Sequence, residues 1–149
     1  MNVIRRWLLG LVAFGLAGAT AELLLLGHYD GPAQFIPLVL IGGGFGTAGW
    51  HVLTGSAASV FAFRVVMALL VLAGPIGVVL HYRGNLEFQL ETDPTAHGFA
   101  LFMKVLRAKA PPALAPGALS QIGLLGLVYT YHHPALARAT TGEIRGEST

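Results

Sequence analysis

The chain has 149 residues, of which 54% are hydrophobic and only 11% are charged, and its mean hydropathy is +0.67. Soluble domains contain roughly 25% charged residues, so much of this surface is expected to face something other than water. The absence of cysteine from the sequence excludes disulfides, thiol catalysis and zinc–thiolate sites. A formal net charge of only +2 gives no basic patch of the kind that binds nucleic acid.

Four apolar segments dominate the sequence, at about residues 7–27, 35–53, 60–80 and 113–131. Each is close to the roughly 20 residues that a helix needs to cross the hydrocarbon core of a bilayer. In lipid the backbone polar groups must be paired within each segment, so helices are expected rather than strands. The predicted fold class is all-α, an integral membrane bundle of four transmembrane helices within residues 1–133.

The first segment combines features of a signal peptide and of a membrane span. Arg5 and Arg6 precede the apolar run, and residues 19–21 (Ala-Thr-Ala) match a cleavage site. The apolar region of a signal peptide has about 7 to 15 residues, whereas this run continues through Leu26. We therefore expect a retained span, and cleavage stays open as the alternative.

The connections between the segments predict how the chain is oriented. The first two, residues 28–32 and 54–59, are short, which makes successive helices antiparallel neighbours. With the N-terminus in the cytoplasm, five basic residues lie inside and four outside, and the pair Arg5-Arg6 adjoins the first span. The prediction is a multi-pass cell-membrane protein with both termini in the cytoplasm. The polar residues 134–149 are expected to form a disordered tail.

The third connection, residues 82–112, is predicted to be an external loop with structure of its own. Apolar and polar residues alternate over 86–91, which favours an extended segment. Asp93-Pro94 then suits the start of a helix. One face of that helix would carry four apolar side chains, Phe99, Phe102, Met103 and Leu106. The prediction is an interfacial amphipathic helix in the loop before the last span, ended by Pro111-Pro112.

Glu22 is the one acid inside the first apolar segment. A charge at the centre of a membrane helix costs roughly 2.5–3.5 kcal/mol, so such a residue is expected to face the bundle interior and to have a partner. By depth, the candidate partners are Gln121 in the fourth segment and His81 or Arg83 at the end of the third. This intramembrane polar site would either bind a proton or a cation, or join two helices by a hydrogen bond.

Glycines in the second segment suggest close helix packing. Gly42, Gly46 and Gly49 fall on one helix face, and small residues at this spacing let helix backbones approach each other. The run from Gly44 to Gly49 also matches the dinucleotide-binding fingerprint, but that motif requires a preceding strand and a solvent-facing helix start. The pattern predicts contacts within the bundle or between copies. Further glycines extend it in the third and fourth segments, at Gly74, Gly77, Gly123 and Gly126.

Histidines stand at the ends of the four segments. The candidate haem ligands are His28 and His81 on one side, and His51 and His132 on the other. Two histidines from different helices on each side would suit a haem b, whereas side chains with a wet tip are also typical of the membrane interface. The interfacial interpretation is favoured, and no metal site, further cofactor or catalytic motif is predicted.

Two stretches, HYRGNLEFQLE at 81–91 and ALAPGALSQIGLLGLVYTYHHP at 113–134, resemble segments of small uncharacterised four-span bacterial inner-membrane proteins. The resemblance implies the four-span fold and no particular activity. The leading hypothesis is a non-enzymatic scaffold or accessory subunit that binds a membrane protein or a second copy of itself. The alternatives are electron transfer through histidine-bound haem b, and proton- or cation-coupled transport through Glu22.

Overall fold

A computed structural model of the chain describes residues 3–27, 31–108 and 114–137, and all regular secondary structure in these ranges is helical. The prediction of an all-α fold is therefore confirmed. The helices are α1 (Val3–Leu25), α2 (Pro32–Thr54), α3 (Ala57–Thr92), α4 (Gly98–Leu106) and α5 (Leu114–Thr130). The first three are each long and apolar enough to cross a membrane, and α5 is a shorter apolar helix.

Local sequence determines how α2 ends and α3 begins. Gly55 follows α2 in a left-handed conformation with φ of 60°, which glycine adopts without steric cost, and donates its N–H to the carbonyl of His51. Ser56 then caps α3, because its hydroxyl accepts a hydrogen bond from the backbone N–H of Ser59 at 3.2 Å. The two helices run antiparallel, as their short connection predicts.

The helix α3 is much longer than the apolar segment that predicts it. It has 36 residues and rises about 54 Å at 1.5 Å per residue. The prediction of a loop beginning at residue 82 is wrong, and so is the extended segment over 86–91, because both stretches are helical as far as Thr92. Glu87 and Phe88 are both exposed, so alternation of residue types here does not mark a buried and a solvated face.

Asp93 ends α3, although the sequence places the start of the next helix there. Its carboxylate accepts hydrogen bonds from the Thr95 hydroxyl at 2.7 Å and from Lys104 Nζ at 3.0 Å. The hydrogen bond from Thr95, followed by the one from Lys104, holds the pKa of Asp93 below its ordinary value. The bond to Lys104 ties the turn after α3 to α4.

The short helix α4 begins at Gly98, after the predicted start, and packs against α3. Val105 is fully buried, and the Phe102 ring centroid lies 6.2 Å from that of Tyr82 on α3. Phe99 is 76% exposed, so α4 also presents an apolar surface outwards. Pro111-Pro112, the predicted end of this helix, lies outside the described residues. In the predicted tail, 134–137 form one helical turn, and 138–149 lie outside the described residues.

Helices α1, α2, α3 and α5, which we call the four long helices, form a ring. In this ring α1 contacts α2 and α5, and α3 also contacts α2 and α5. Helices α3 and α5 approach each other closely, because small residues allow backbone contact. A β-carbon added at Gly123 would lie 2.6 Å from the Met67 carbonyl oxygen, and one added at Gly74 would lie 2.8 Å from the Pro116 carbonyl oxygen.

Large apolar side chains cover the outside of the bundle. Trp7 and Phe14 on α1 are 71% and 77% exposed, and Leu53 on α2 is 86% exposed. Soluble monomers rarely expose large contiguous apolar patches, because such surfaces are unfavourable in water. This exterior and the three long apolar helices are compatible with a membrane location.

Candidate functional site

A cavity of about 820 Å³ lies between the four long helices. Small-molecule sites in proteins commonly have volumes of roughly 300–1,000 Å³. The cavity lies towards the end of the bundle where α1 ends and where α2 and α5 begin, which we call the Glu22 end. The opposite end, where α1 and α3 begin, is called the Arg5 end.

The lining of the cavity changes from polar to apolar along the helix axes. Glu22, Gln34, His81 and Asn85 line it at the Glu22 end, and Gln121 lies deeper. Beyond them the wall is aliphatic on all four helices, with Leu11, Leu40, Leu69 and Leu125. Along α1 the lining extends from position 26 to position 11, about 22 Å of helix.

Glu22, Gln121 and His81, which the sequence predicts as one polar site, all line this cavity. The Glu22 side chain is exposed, and no hydrogen bond or ion pair engages its carboxylate in the part of the chain that the structure describes. The carboxylate is therefore accessible to a ligand inside the cavity.

Sequence reasoning missed Gln34 and Asn85, which also line the cavity. Asn85 lies four residues after His81, so both project from the same side of α3. That relation is invisible when residue 82 is taken as the start of a loop. Gln34 could have been found from its position in the first turn of α2, two residues after Pro32, which places it at the same end of the bundle as Glu22.

The Arg5 end is closed by two arginines that bind the end of α5. Arg5 donates hydrogen bonds to the carbonyl oxygens of Tyr129, Tyr131 and His132, at 2.7, 3.1 and 3.0 Å. Arg64 donates to the carbonyl oxygen of Thr130 at 2.8 Å and to its hydroxyl at 3.2 Å. The last carbonyls of a helix have no intrahelical partner, so these guanidinium groups satisfy them and complement the helix dipole.

A buried aromatic cluster lies beside these arginines. His51 and His133 are 5% and 8% exposed, and their ring centroids are 5.0 Å apart in an edge-to-face contact. The Tyr129 ring contacts both, and His51 Nδ1 lies 3.2 Å from Ser59 Oγ. The Arg5 end is thus densely packed and hydrogen-bonded, in contrast to the Glu22 end.

The candidate haem ligands do not form facing pairs among the described residues. His51 contacts His133, and the edge-to-face contact leaves no space for a porphyrin between the two rings. His132 is exposed and its ring packs on Tyr131. His81 lines the cavity, and His28 lies outside the described residues. The described part of the chain also contains no group of three or more acidic or histidine residues able to hold a metal ion.

The predicted glycine face of α2 lies on the outside of the bundle. Gly42, Gly46 and Gly49 are exposed, and a β-carbon added at any of them would have no described atom within 4 Å. Gly44 instead faces inwards, where an added β-carbon would lie 3.1 Å from Leu16. The glycine face is therefore open to lipid or to another helix.

His133 gives the Arg5 end a predicted dependence on pH. Burial, reinforced by His51 and by the positive charges of Arg5 and Arg64, lowers its pKa from 6.5 to about 4. The backbone N–H of Ala135 donates to its Nδ1 at 3.3 Å, a bond that requires this nitrogen to be unprotonated. Because only the unfolded chain takes up the proton near pH 6.5, the stability that His133 contributes is complete above that pH and is lost towards pH 4.

We expect the thermal midpoint of the purified protein in detergent to fall as the pH is lowered from 6.5 to 4. His133→Gln should flatten that part of the profile, because it removes the titrating group. His132→Gln changes an exposed neighbour of the same type and should leave the slope unchanged. Equal slopes for the wild type and His133→Gln would contradict the prediction.

No protein-family model, curated protein or solved structure matches the chain. The class of the protein therefore rests on its own fold: an all-helical bundle with three helices long and apolar enough to cross a membrane. The resemblance to four-span bacterial inner-membrane proteins stays a prediction.

Proposed function

We propose that the chain is a four-span cell-membrane protein that binds an amphiphilic molecule without transforming it. The fourth span is α5, whose 17 residues reach the lower limit of about 17 for a membrane helix. Its packing supports this assignment, since Pro116 lies beside Gly77 and Gly126 beside Met67 of α3. A helix that accompanies the apolar part of α3 in this way shares its depth in the bilayer.

The proposed placement puts the Arg5 end in the cytoplasm and the Glu22 end outside. Arg5 and Arg6 then lie on the cytoplasmic side, in agreement with the preference of basic residues for that side. The polar end of α3 projects beyond the outer surface, and α4 packs against it at the interface. Exposed Phe99 on α4 and basic Arg107 directly after it suit the boundary between acyl chains and headgroups.

The observation that carries the binding function is the graded lining of the cavity. An amphiphile would place its polar group beside Glu22, Gln34 and His81 and its apolar chain along the leucines deeper in the bundle. Water is a poor occupant of the aliphatic part, because it finds no hydrogen-bond partners there. The lining supplies an acid, a histidine and amides, a set suited to binding rather than to nucleophilic catalysis.

Filling the cavity tests this function. Ala73 on α3 lines the cavity, whereas Ala17 on α1 is exposed and does not line it. Native mass spectrometry of the wild type and of Ala17→Phe should show one dodecyl-chain amphiphile retained per chain. Ala73→Phe should lose it, because the ring occupies the space of the chain. Thermal midpoints of both variants report whether each folds, and retention by a folded Ala73→Phe would contradict the proposal.

The open glycine face of α2 favours a second candidate, an accessory subunit or scaffold that binds another membrane helix. Small residues on an exposed helix face permit the close backbone contact on which helix association in lipid depends. The same mass spectra report the assembly, because a second copy or a partner protein adds its mass. A lone monomer after gentle solubilisation would remove this candidate and leave amphiphile binding in place.

A further inference from the structure

We infer that the amphiphile bound in the cavity is a cation, with an amine or quaternary ammonium group beside Glu22. This inference rests on the proposed function and names the chemical class of its ligand. It starts from the charge of the lining, whose described residues include one acid and neither lysine nor arginine. His81 is the other titratable side chain among the lining residues that the structure describes.

The surroundings of Glu22 strengthen its attraction for a cation. Its neighbours in the lining include Ala19, Leu23 and Leu26, which offer the carboxylate no hydrogen bonds from their side chains. At an effective dielectric constant of 20, the attraction between two charges is about four times as strong as in water. A neutral ligand head would leave the carboxylate without a counter-charge, and an anionic head would be repelled by it.

No described basic side chain already neutralises Glu22. Arg83, two residues beyond His81 on α3, is exposed and does not line the cavity. The only ion pair among the described residues joins Lys104 to Asp93, outside the cavity. The carboxylate is therefore free to form an ion pair with a ligand.

The shape of the cavity also indicates what kind of molecule bears the cationic group. From Glu22 to Leu11 the lining follows α1 for 11 residues, about 17 Å of helix with aliphatic side chains on the neighbouring helices. A small hydrated cation would leave that part empty. A cationic group joined to an alkyl chain satisfies both parts, because the charge remains at the Glu22 end while the chain covers the leucines.

The experiment compares three dodecyl probes of different charge on the full-length purified protein. Dodecyltrimethylammonium is the cation, dodecyl maltoside the neutral probe and laurate the anion, and native mass spectrometry measures the fraction of each retained at matched concentrations. We expect the wild type to bind the cation about ten-fold more tightly than the neutral probe, because only the cation gains a charge–charge attraction with the Glu22 carboxylate.

Two variants locate the source of the selectivity. Glu22→Gln keeps the shape of the side chain and removes its charge, and should abolish the preference for the cation while retaining the neutral probe. Glu87→Gln removes an exposed acid outside the cavity and should change neither affinity. Equal binding of the cationic and neutral probes by the wild type would overturn the inference and leave the proposed function standing. Loss of all three probes from the folded wild type would overturn both.

Discussion

Arg5→Gln is expected to reduce the free energy of unfolding by about 1–3 kcal/mol, because it removes the donors for three carbonyl oxygens at the end of α5. Glutamine is too short to replace the guanidinium, and the carbonyl of Tyr129 is the most enclosed of the three, since that residue is buried. Arg5→Lys keeps the charge but lacks the planar fork, so an intermediate loss is expected.

The neighbouring residue supplies a matched control for this prediction. Arg6 is exposed, and no hydrogen bond of its side chain is found within the described ranges. Arg6→Gln removes the same charge from the same end of α1, so both variants lower the positive charge there equally. Reversible unfolding in mixed micelles, followed by circular dichroism, measures the free energy of unfolding of each variant. It should show a loss for Arg5→Gln and none for Arg6→Gln. Equal losses in the two variants would show that charge at this end, and not the bonds to α5, supplies the stability.

If the proposed function holds, the two ends of the bundle have different roles, one in stability and one in binding. At the Arg5 end the arginines and the cluster of His51, His133 and Tyr129 join α1, α2, α3 and the end of α5. At the Glu22 end the same helices line a half-open cavity. The proposed ligand would enter between helices whose relative positions are fixed at the opposite end, so its binding should require little reorganisation of the fold.

Hydropathy predicted α1, α2 and α3 because an apolar run of about 20 residues has few alternatives to a buried or membrane helix. The same criterion could not predict where α3 ends. Residues 81–92 mix polar and apolar side chains, and their helix is supported by α4 through buried Val105 and the contact of Tyr82 with Phe102. Such support is tertiary, so it leaves no periodic pattern in the sequence.

The candidate site was predictable only in part, for a related reason. Glu22, His81 and Gln121 were named from their depth along separate helices, and depth is retained when the helices assemble. Arg5 and Arg64 were interpreted only as orientation signals, because their carbonyl partners on α5 lie more than 60 positions away in sequence. Which glycine faces point inwards also depends on the neighbouring helix, so spacing alone could not separate Gly44 from Gly46.

Among the helix contacts of the bundle, the one between α3 and α5 should lose the most stability when a larger side chain is introduced. In Gly123→Val the β-carbon would lie 2.6 Å from the Met67 carbonyl oxygen and 2.8 Å from the Val71 backbone nitrogen. These are backbone atoms that no rotamer change can move, so the helices must separate. Separation would also stretch the hydrogen bond from the Ser120 hydroxyl to the Val71 carbonyl, now 3.0 Å.

We therefore expect Gly123→Val to reduce the free energy of unfolding, measured in the same mixed micelles. The reduction should lie at or above the upper end of the roughly 1–3 kcal/mol that overpacking a core typically costs. Gly117→Ala in α5 is the control, since a β-carbon there meets no described atom within 4 Å. Alanine favours a helix over glycine by up to about 1 kcal/mol, so the control should be neutral or stabilised. If Gly123→Val and Gly117→Ala unfolded at the same dodecyl sulfate fraction, close backbone contact would not be what holds α3 against α5.

Because Gly77 and Pro116 on these two helices also line the cavity, a separation of α3 from α5 should weaken amphiphile retention in Gly123→Val as well. Gly117→Ala should retain the amphiphile.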